Sequence, residues 1–242
     1  MQKPIILIIL TAMLAGGCSA PTAVPTSPPP EATAVSLFEN TETAVTKTVP
    51  TETVSDDKCR NPLYPVHNGA WWMYSFANGS RPSQTLSVSG NNTFTVTVQS
   101  DNSTFTLDGQ CTDNGIILLD APGASVTYSG AQGSSALVIQ NVEGVTLPND
   151  VQVGANWSQT LQVAGGNINA TIETSYNAVG YETVTVPAGS FNALKVEQNG
   201  LVNMGGQTIN LHAFFWYAQD VGVVKSVIDG VSSSELIAYN FP

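Results

Sequence analysis

The chain has 242 residues, 42% of them hydrophobic and only 10% charged, with a formal net charge of -11 at neutral pH. Its seven Lys and Arg are too few and too scattered for nucleic-acid phosphates or anionic headgroups, so neither class of partner is expected. Three cysteines and two histidines at unrelated spacings make no zinc signature.

Taken from the N-terminus, Lys3 supplies a positive start, Ile5 to Leu14 form a short apolar run, and Ala15, Gly16 and Gly17 lead to Cys18. This pattern predicts a secretory signal over residues 1–17. It resembles the bacterial lipobox, whose cysteine is acylated and becomes the first residue of the mature protein. The resemblance implies a lipid on Cys18 and a place in the cell envelope, on the outer face of the cytoplasmic membrane or on the outer membrane. The alternatives are an ordinary signal with an incidental Cys18, or an anchor helix, which needs about 20 apolar residues. Gly16, Gly17 and Ser19 interrupt the run well before that.

From Cys18 to Asp57 the chain is dominated by Thr, Pro, Ser, Ala and Glu. Such a segment buries too little apolar surface to offset its ordering entropy, which predicts a disordered linker with a reach of roughly 35–40 Å. Residues 58–242 are long enough for one domain with a core of its own. With Cys18 lipidated, Cys59 and Cys111 remain as an even pair in an oxidising compartment, so a disulfide is expected, worth about 4 kcal/mol in the chain-entropy model. Two free thiols are the alternative.

The domain reads as all-β. Thr93 to Val98 (TFTVTV), Thr104 to Leu107 (TFTL) and Glu182 to Val186 (ETVTV) alternate apolar and polar side chains with period two. Turn signals such as Asn78-Gly79, Asp108-Gly109, Asn114-Gly115, Gly205-Gly206 and Asp229-Gly230 punctuate them. No apolar stripe at helical spacing follows residue 58. The expected architecture is a strongly curved or partly closed antiparallel meander, like a half-barrel. An internal echo, V-x-x-G-A-x-W, runs from Val66 to Trp72 and again from Val151 to Trp157. It suggests two similar halves meeting near Gly144, each opened by a glycine turn that sets a tryptophan at the start of a strand, although chance could also produce it.

Glu182 to Val196 reads ETVTVPAGSFNALKV, and Trp216-Tyr217-Ala218 precedes Val221-Gly222-Val223-Val224-Lys225. These stretches resemble the T-V-P-A-G-x-F hairpin and W-Y-A-x-x-V-G-x-V-K motifs of a large group of uncharacterised bacterial envelope lipoproteins of unknown function. The resemblance implies a curved antiparallel sheet distantly similar to the half-barrels of carriers such as LolA and LolB, and it offers no catalytic residues to transfer.

Catalysis is not expected. A nucleophile needs a base and an orienting partner within reach. Only His67 and His212 are available, without a G-x-S-x-G elbow, and His212 is read as a hydrogen-bonded core histidine. No cofactor or metal is expected, and the aspartates of turns, among them Asp101, Asp108 and Asp113, are assigned to turn formation. In Leu211 to Tyr217 both faces of one strand are apolar, which demands cover on each side. Trp72, Tyr74, Phe214 and Trp216 are the expected lining of a concavity for an apolar small molecule or acyl chain. The alternatives are a protein or glycan interaction module on a flexible stalk and, third, a hydrolase. A monomer is expected.

Overall fold

The computed structural model describes residues 57–90, 92–100, 103–118, 125–130, 133–165, 168–230 and 232–242. The expected secretory signal, Cys18, the expected linker up to residue 56 and Asp101 lie outside the described residues.

Where a strand packs on one side only, period two decides which side chains go in. In β1 (Trp71–Phe76), Trp72, Tyr74 and Phe76 are buried and their neighbours half-buried; in β3 (Thr93–Ser100), Phe94, Val96 and Val98 are buried between threonines. The β-branched threonines favour the extended backbone that this alternation requires. The other strands are β2 (Ser83–Val88), β4 (Ser103–Thr112), β5 (Gly115–Leu118), β6 (Ser125–Gly130), β7 (Gly133–Gly144), β8 (Leu147–Pro148), β9 (Asn156–Gly165), β10 (Ile168–Val186), β11 (Gly189–Met204), β12 (Gln207–Ala218), β13 (Gly222–Ile228) and β14 (Ser232–Asn240). The described helix is a single 3-10 turn, Asp57–Cys59. No helix among the described residues is long and apolar enough to cross a membrane.

All fourteen strands join one antiparallel sheet in the order β3-β2-β1-β14-β13-β12-β11-β10-β9-β7-β6-β4-β5-β8, with β3 also paired to β4. The first and last strands are therefore neighbours. Bulges interrupt the ladders between Met73 and Tyr74, Ile139 and Asn141, Ala178 and Gly180, and Trp216 and Tyr217. Each adds an unpaired residue and increases the local twist. The result is a single antiparallel meander sheet, the all-β architecture that the alternation predicts. Its ladders differ widely in length, from two residue pairs between β5 and β8 and three between β1 and β2 to four between β4 and β6.

Three apolar clusters form on this sheet. The largest gathers Trp72, Tyr74, Leu86, Phe94, Val224 and Leu236. A second holds Tyr176, Ala178, Leu194, Val196 and Tyr217 beneath Leu63, Leu147 and Val151. A third, at the far end of the long hairpins, holds Ile139, Leu161, Val163, Ala170 and Val202. Cys59 and Cys111 are joined, which ties the segment before β1 to β4.

The echo in the sequence is also an echo in hydrogen bonding. The N–H of Ala70 donates to His67 O and that of Ala155 to Gln152 O, with Gly69 and Gly154 at φ +81° and +84°. Positive φ is what glycine adopts without a Cβ penalty. Gly69 N–H donates to Leu86 O while Leu86 N–H donates to Ala70 O; Gly154 N–H donates to Ala178 O while Ala178 N–H donates to Ala155 O. Each module then places a tryptophan whose Nε1 donates to a carbonyl, Trp72 to Val221 O at 2.7 Å and Trp157 to Thr146 O at 3.0 Å.

Candidate functional site

The strand Leu211 to Tyr217, apolar on both faces in the sequence, lies inside β12 and is covered on both faces. Trp216 belongs to the largest cluster and Phe214 packs against it, whereas Tyr217 and Phe215 belong to the second. The cover comes from the chain's own side chains.

Of the four aromatic residues expected to line one concavity, Trp72, Tyr74 and Trp216 belong to the largest cluster and Phe214 packs against it, although they reach it from different sides of their strands. Antiparallel partners project to the same side of a sheet, so the register can be followed across strands. Phe76 is opposite Ser234, Ser234 opposite Ser226, and Ser226 opposite Phe215. A 2.8 Å bond between the hydroxyls of Ser226 and Ser234 confirms that they face each other. Trp72 and Tyr74, two and four residues from Phe76 on the same strand, therefore point with Phe215. Phe214 and Trp216 point the other way. Trp72, Tyr74 and Trp216 are buried, and the Tyr74 hydroxyl donates to Val223 O at 2.9 Å. Burial pushes the hydroxyls of Tyr64, Tyr74 and Tyr217 well above the ordinary tyrosine range and that of Tyr176 up to about 12, so they stay protonated donors.

On the Phe214 and Trp216 face the register assembles a ladder of charges and rings. Lys195 is opposite Trp216, Trp216 opposite Lys225, and Lys225 opposite Glu235. The Lys195 ammonium lies 4.5 Å from the Phe214 ring centre and 5.2 Å from that of Trp216, and Lys225 lies 5.9 Å from Trp216. These are cation–π distances. Lys225 also pairs with Glu235 at 3.0 Å, and Trp216 Nε1 donates to the Glu182 carboxylate. His212 ends the ladder, with Nδ1 at 2.6 Å from Asp229 and Nε2 at 2.9 Å from Glu197, and its ring edge-on to Phe214. The hydrogen bonds from Asp229, then Glu197, raise its pKa above the ordinary histidine range.

His212 is thus hydrogen-bonded as expected, but it is half-exposed on the sheet surface and not in the core. Its two carboxylates hold different ring nitrogens and clamp the imidazole instead of converging on one point. Among the described residues no group of three or more His, Cys, Asp or Glu is placed to hold a metal. His67, edge-on to Phe241, packs away from this ladder. The sequence gives no sign that Glu182, Lys195, Glu197, Lys225, Asp229 and Glu235 belong to one site, because they lie on five different segments that only strand register brings together.

Two open recesses stand out on the described surface. One, about 340 Å³, is floored by Pro62, Leu63 and Val151 and rimmed by Asp150, Gln152, Tyr181 and Gln219. The other, about 370 Å³, lies over Gln162, Asn169, Thr171 and Asn203. Neither is an enclosed apolar chamber.

Residues 96–227 match the DUF3108-like family, which is more than half of the chain. The chain belongs to the DUF3108-like family. No curated protein matches it. Among solved structures, this DUF3108-like chain is similar to a Bacteroides fragilis protein named as an exported protein with a YmcC-like fold, at 16% identity and a TM-score of 0.44 over 73% of this chain and 98% of the other. A Parabacteroides distasonis protein named as a lipoprotein aligns at 15% identity and a TM-score of 0.42, over 74% and 99%. The hypothetical lipoprotein YmcC of Escherichia coli aligns at 13% identity and 0.39, over 79% and 90%.

Proposed function

We propose that this chain is an envelope lipoprotein whose β domain is a non-catalytic interaction module, held to the membrane by a lipid on Cys18 and displayed on the linker. The run from Lys3 to Cys18 supports the tether. The observation that carries the module reading is the packing of the aromatic residues. Trp72, Tyr74 and Trp216 are buried in the chain's own core with their polar atoms bonded, so among the described residues these side chains are taken up by packing and do not line an apolar chamber of the kind a carried acyl chain needs. A LolA- or LolB-like carrier role has only the curvature of the sheet in its favour.

Native mass spectrometry of the protein extracted from its own membrane tests this. The expected result is a mass accounted for by the chain and its N-terminal lipid, with no change in tryptophan emission when fatty acids are added. A retained non-covalent acyl ligand, or a saturable blue shift abolished by Trp216→Ala, would overturn the module reading in favour of the carrier.

A further inference from the structure

The recess floored by Pro62, Leu63 and Val151 is a built feature. Its walls are fixed from several directions. Asn61 accepts from Leu63 N–H at 2.9 Å and donates to Pro148 O at 2.9 Å, Asp220 N–H donates to Pro62 O at 2.7 Å, and Asn149 Nδ2 donates to Thr112 O and Asp113 O at 3.2 Å each. The disulfide to Cys111 anchors the Pro62 segment two residues before Asn61. On the other wall Gly154 is bonded to Ala178. A recess held this way loses little conformational entropy when it is filled.

Its lining combines two kinds of group. Tyr181 is 52% exposed and Val153 55%; Val179, the extra residue of the β10 bulge, lies outside the lining but is also exposed, two residues before Tyr181. Large apolar side chains are otherwise sparse on the described surface, so an exposed tyrosine beside valines marks a contact site. Around it stand Asp150 and Gln152, joined at 2.6 Å, and Gln219. The lining holds a carboxylate and amides but no Lys, Arg or His.

We infer that this recess binds a saccharide unit of an uncharged glycan, with Tyr181 stacked on the C–H face of the ring and Asp150, Gln152 and Gln219 bonded to its hydroxyl or acylamino groups. The chemistry matches on each count. A sugar ring is amphipathic in the same sense as the recess, with apolar C–H faces and a polar edge. Its hydroxyls donate to a carboxylate and both donate to and accept from amides. The absence of a cation, in a chain of net charge -11, disfavours phosphorylated or carboxylated ligands. A volume of about 340 Å³ is at the small end of ligand sites and suits one or two sugar units. An extended peptide is less well served, because the amides of Gly154, Ala155 and Asp220, which follow the lining residues Val153 and Gln219, are already bonded within the chain and are not available for strand addition.

This inference rests on the interaction-module reading and names the partner class. The test is saturation-transfer NMR and calorimetry of the detergent-solubilised full chain with chitotriose, cellotriose and maltotriose. At least one should show transfer to its ring protons and saturable binding. Tyr181→Ala should weaken that binding about tenfold or more, the equivalent of about 1.4 kcal/mol, whereas Leu201→Ala, at a residue 41% exposed elsewhere on the sheet, should leave it unchanged. Because Tyr181 is exposed, its loss should not unfold the domain, and an unchanged melting temperature checks this. Absence of transfer to all three sugars, or binding indifferent to Tyr181→Ala, would overturn the inference. A photo-crosslinker placed at position 181 in cells separates it from the broader reading, since a crosslink to protein instead of glycan would keep the module and discard the sugar.

Discussion

Held by one acidic side chain on each ring nitrogen, His212 is the residue whose protonation the fold most directly controls. The charged imidazole donates to both Asp229 and Glu197, whereas the neutral ring has one proton to share between them. The folded pKa is raised, so the folded state holds this proton more tightly than the unfolded chain does. The stabilisation is therefore complete below the unfolded value of about 6.5 and is lost as pH rises through the raised folded value. Melting temperatures of wild type and His212→Asn should differ most near pH 6 and converge as the buffer is made alkaline. A gap that stays constant from pH 6 to 9 would show that the clamp does not depend on charge. The sequence marked His212 as bonded and placed it correctly with Phe214 and Trp216. It could not supply Glu197 or Asp229, because a strand's alternation says which of its own residues share a side and nothing about the residues opposite.

At the scale of strands and turns, β4 contains a glycine whose role is steric. Gly109 is opposite Phe94, and a Cβ at Gly109 would run into the Phe94 ring, which is fully buried. Gly109→Ala should therefore displace Phe94 and destabilise the domain by about 1–3 kcal/mol, the usual range for overpacking a core, read as a lower denaturation midpoint. Phe94→Leu in the same background should restore part of the loss; if Gly109→Ala alone is neutral, the ring is free to move and this packing argument fails. In sequence Asp108-Gly109 reads as a turn, whereas it lies within β4, because a glycine that makes room for a cross-strand ring looks the same as one that turns the chain. The strands themselves were largely legible. TFTVTV lies in β3, TFTL in β4 and ETVTV in β10. The nineteen-residue length of β10 was not, since the bulge between Ala178 and Gly180 breaks the alternation that would have revealed one continuous strand. Trp72, Tyr74 and Trp216 share the largest cluster and Phe214 packs against it, but which side each strand turns toward its neighbours is set by register and bulges, not by its own pattern.

For the molecule as a whole, the proposed tether at Cys18 would set where any interaction takes place. Wild-type protein should carry an acylated N-terminal Cys18 by intact mass and sediment with membranes, and Cys18→Ser should be unlipidated and recovered in the soluble fraction. An unmodified mature N-terminus in the wild type would remove the tether and leave an exported domain free to diffuse. The pairing of β1 with β14 has a consequence for the order in which the domain is completed. Polypeptides are synthesised from the N-terminus, so Trp72, Tyr74 and Phe76 emerge long before Leu236, the fully buried partner that packs opposite Tyr74. Until the final nine residues of β14 arrive, the first strand lacks one of its two neighbours and the largest apolar cluster lacks a wall. Contacts that span nearly the whole domain form slowly, because the loop must close before any of them contributes. Completion of the largest cluster thus waits for β14, the last of the fourteen strands in chain order.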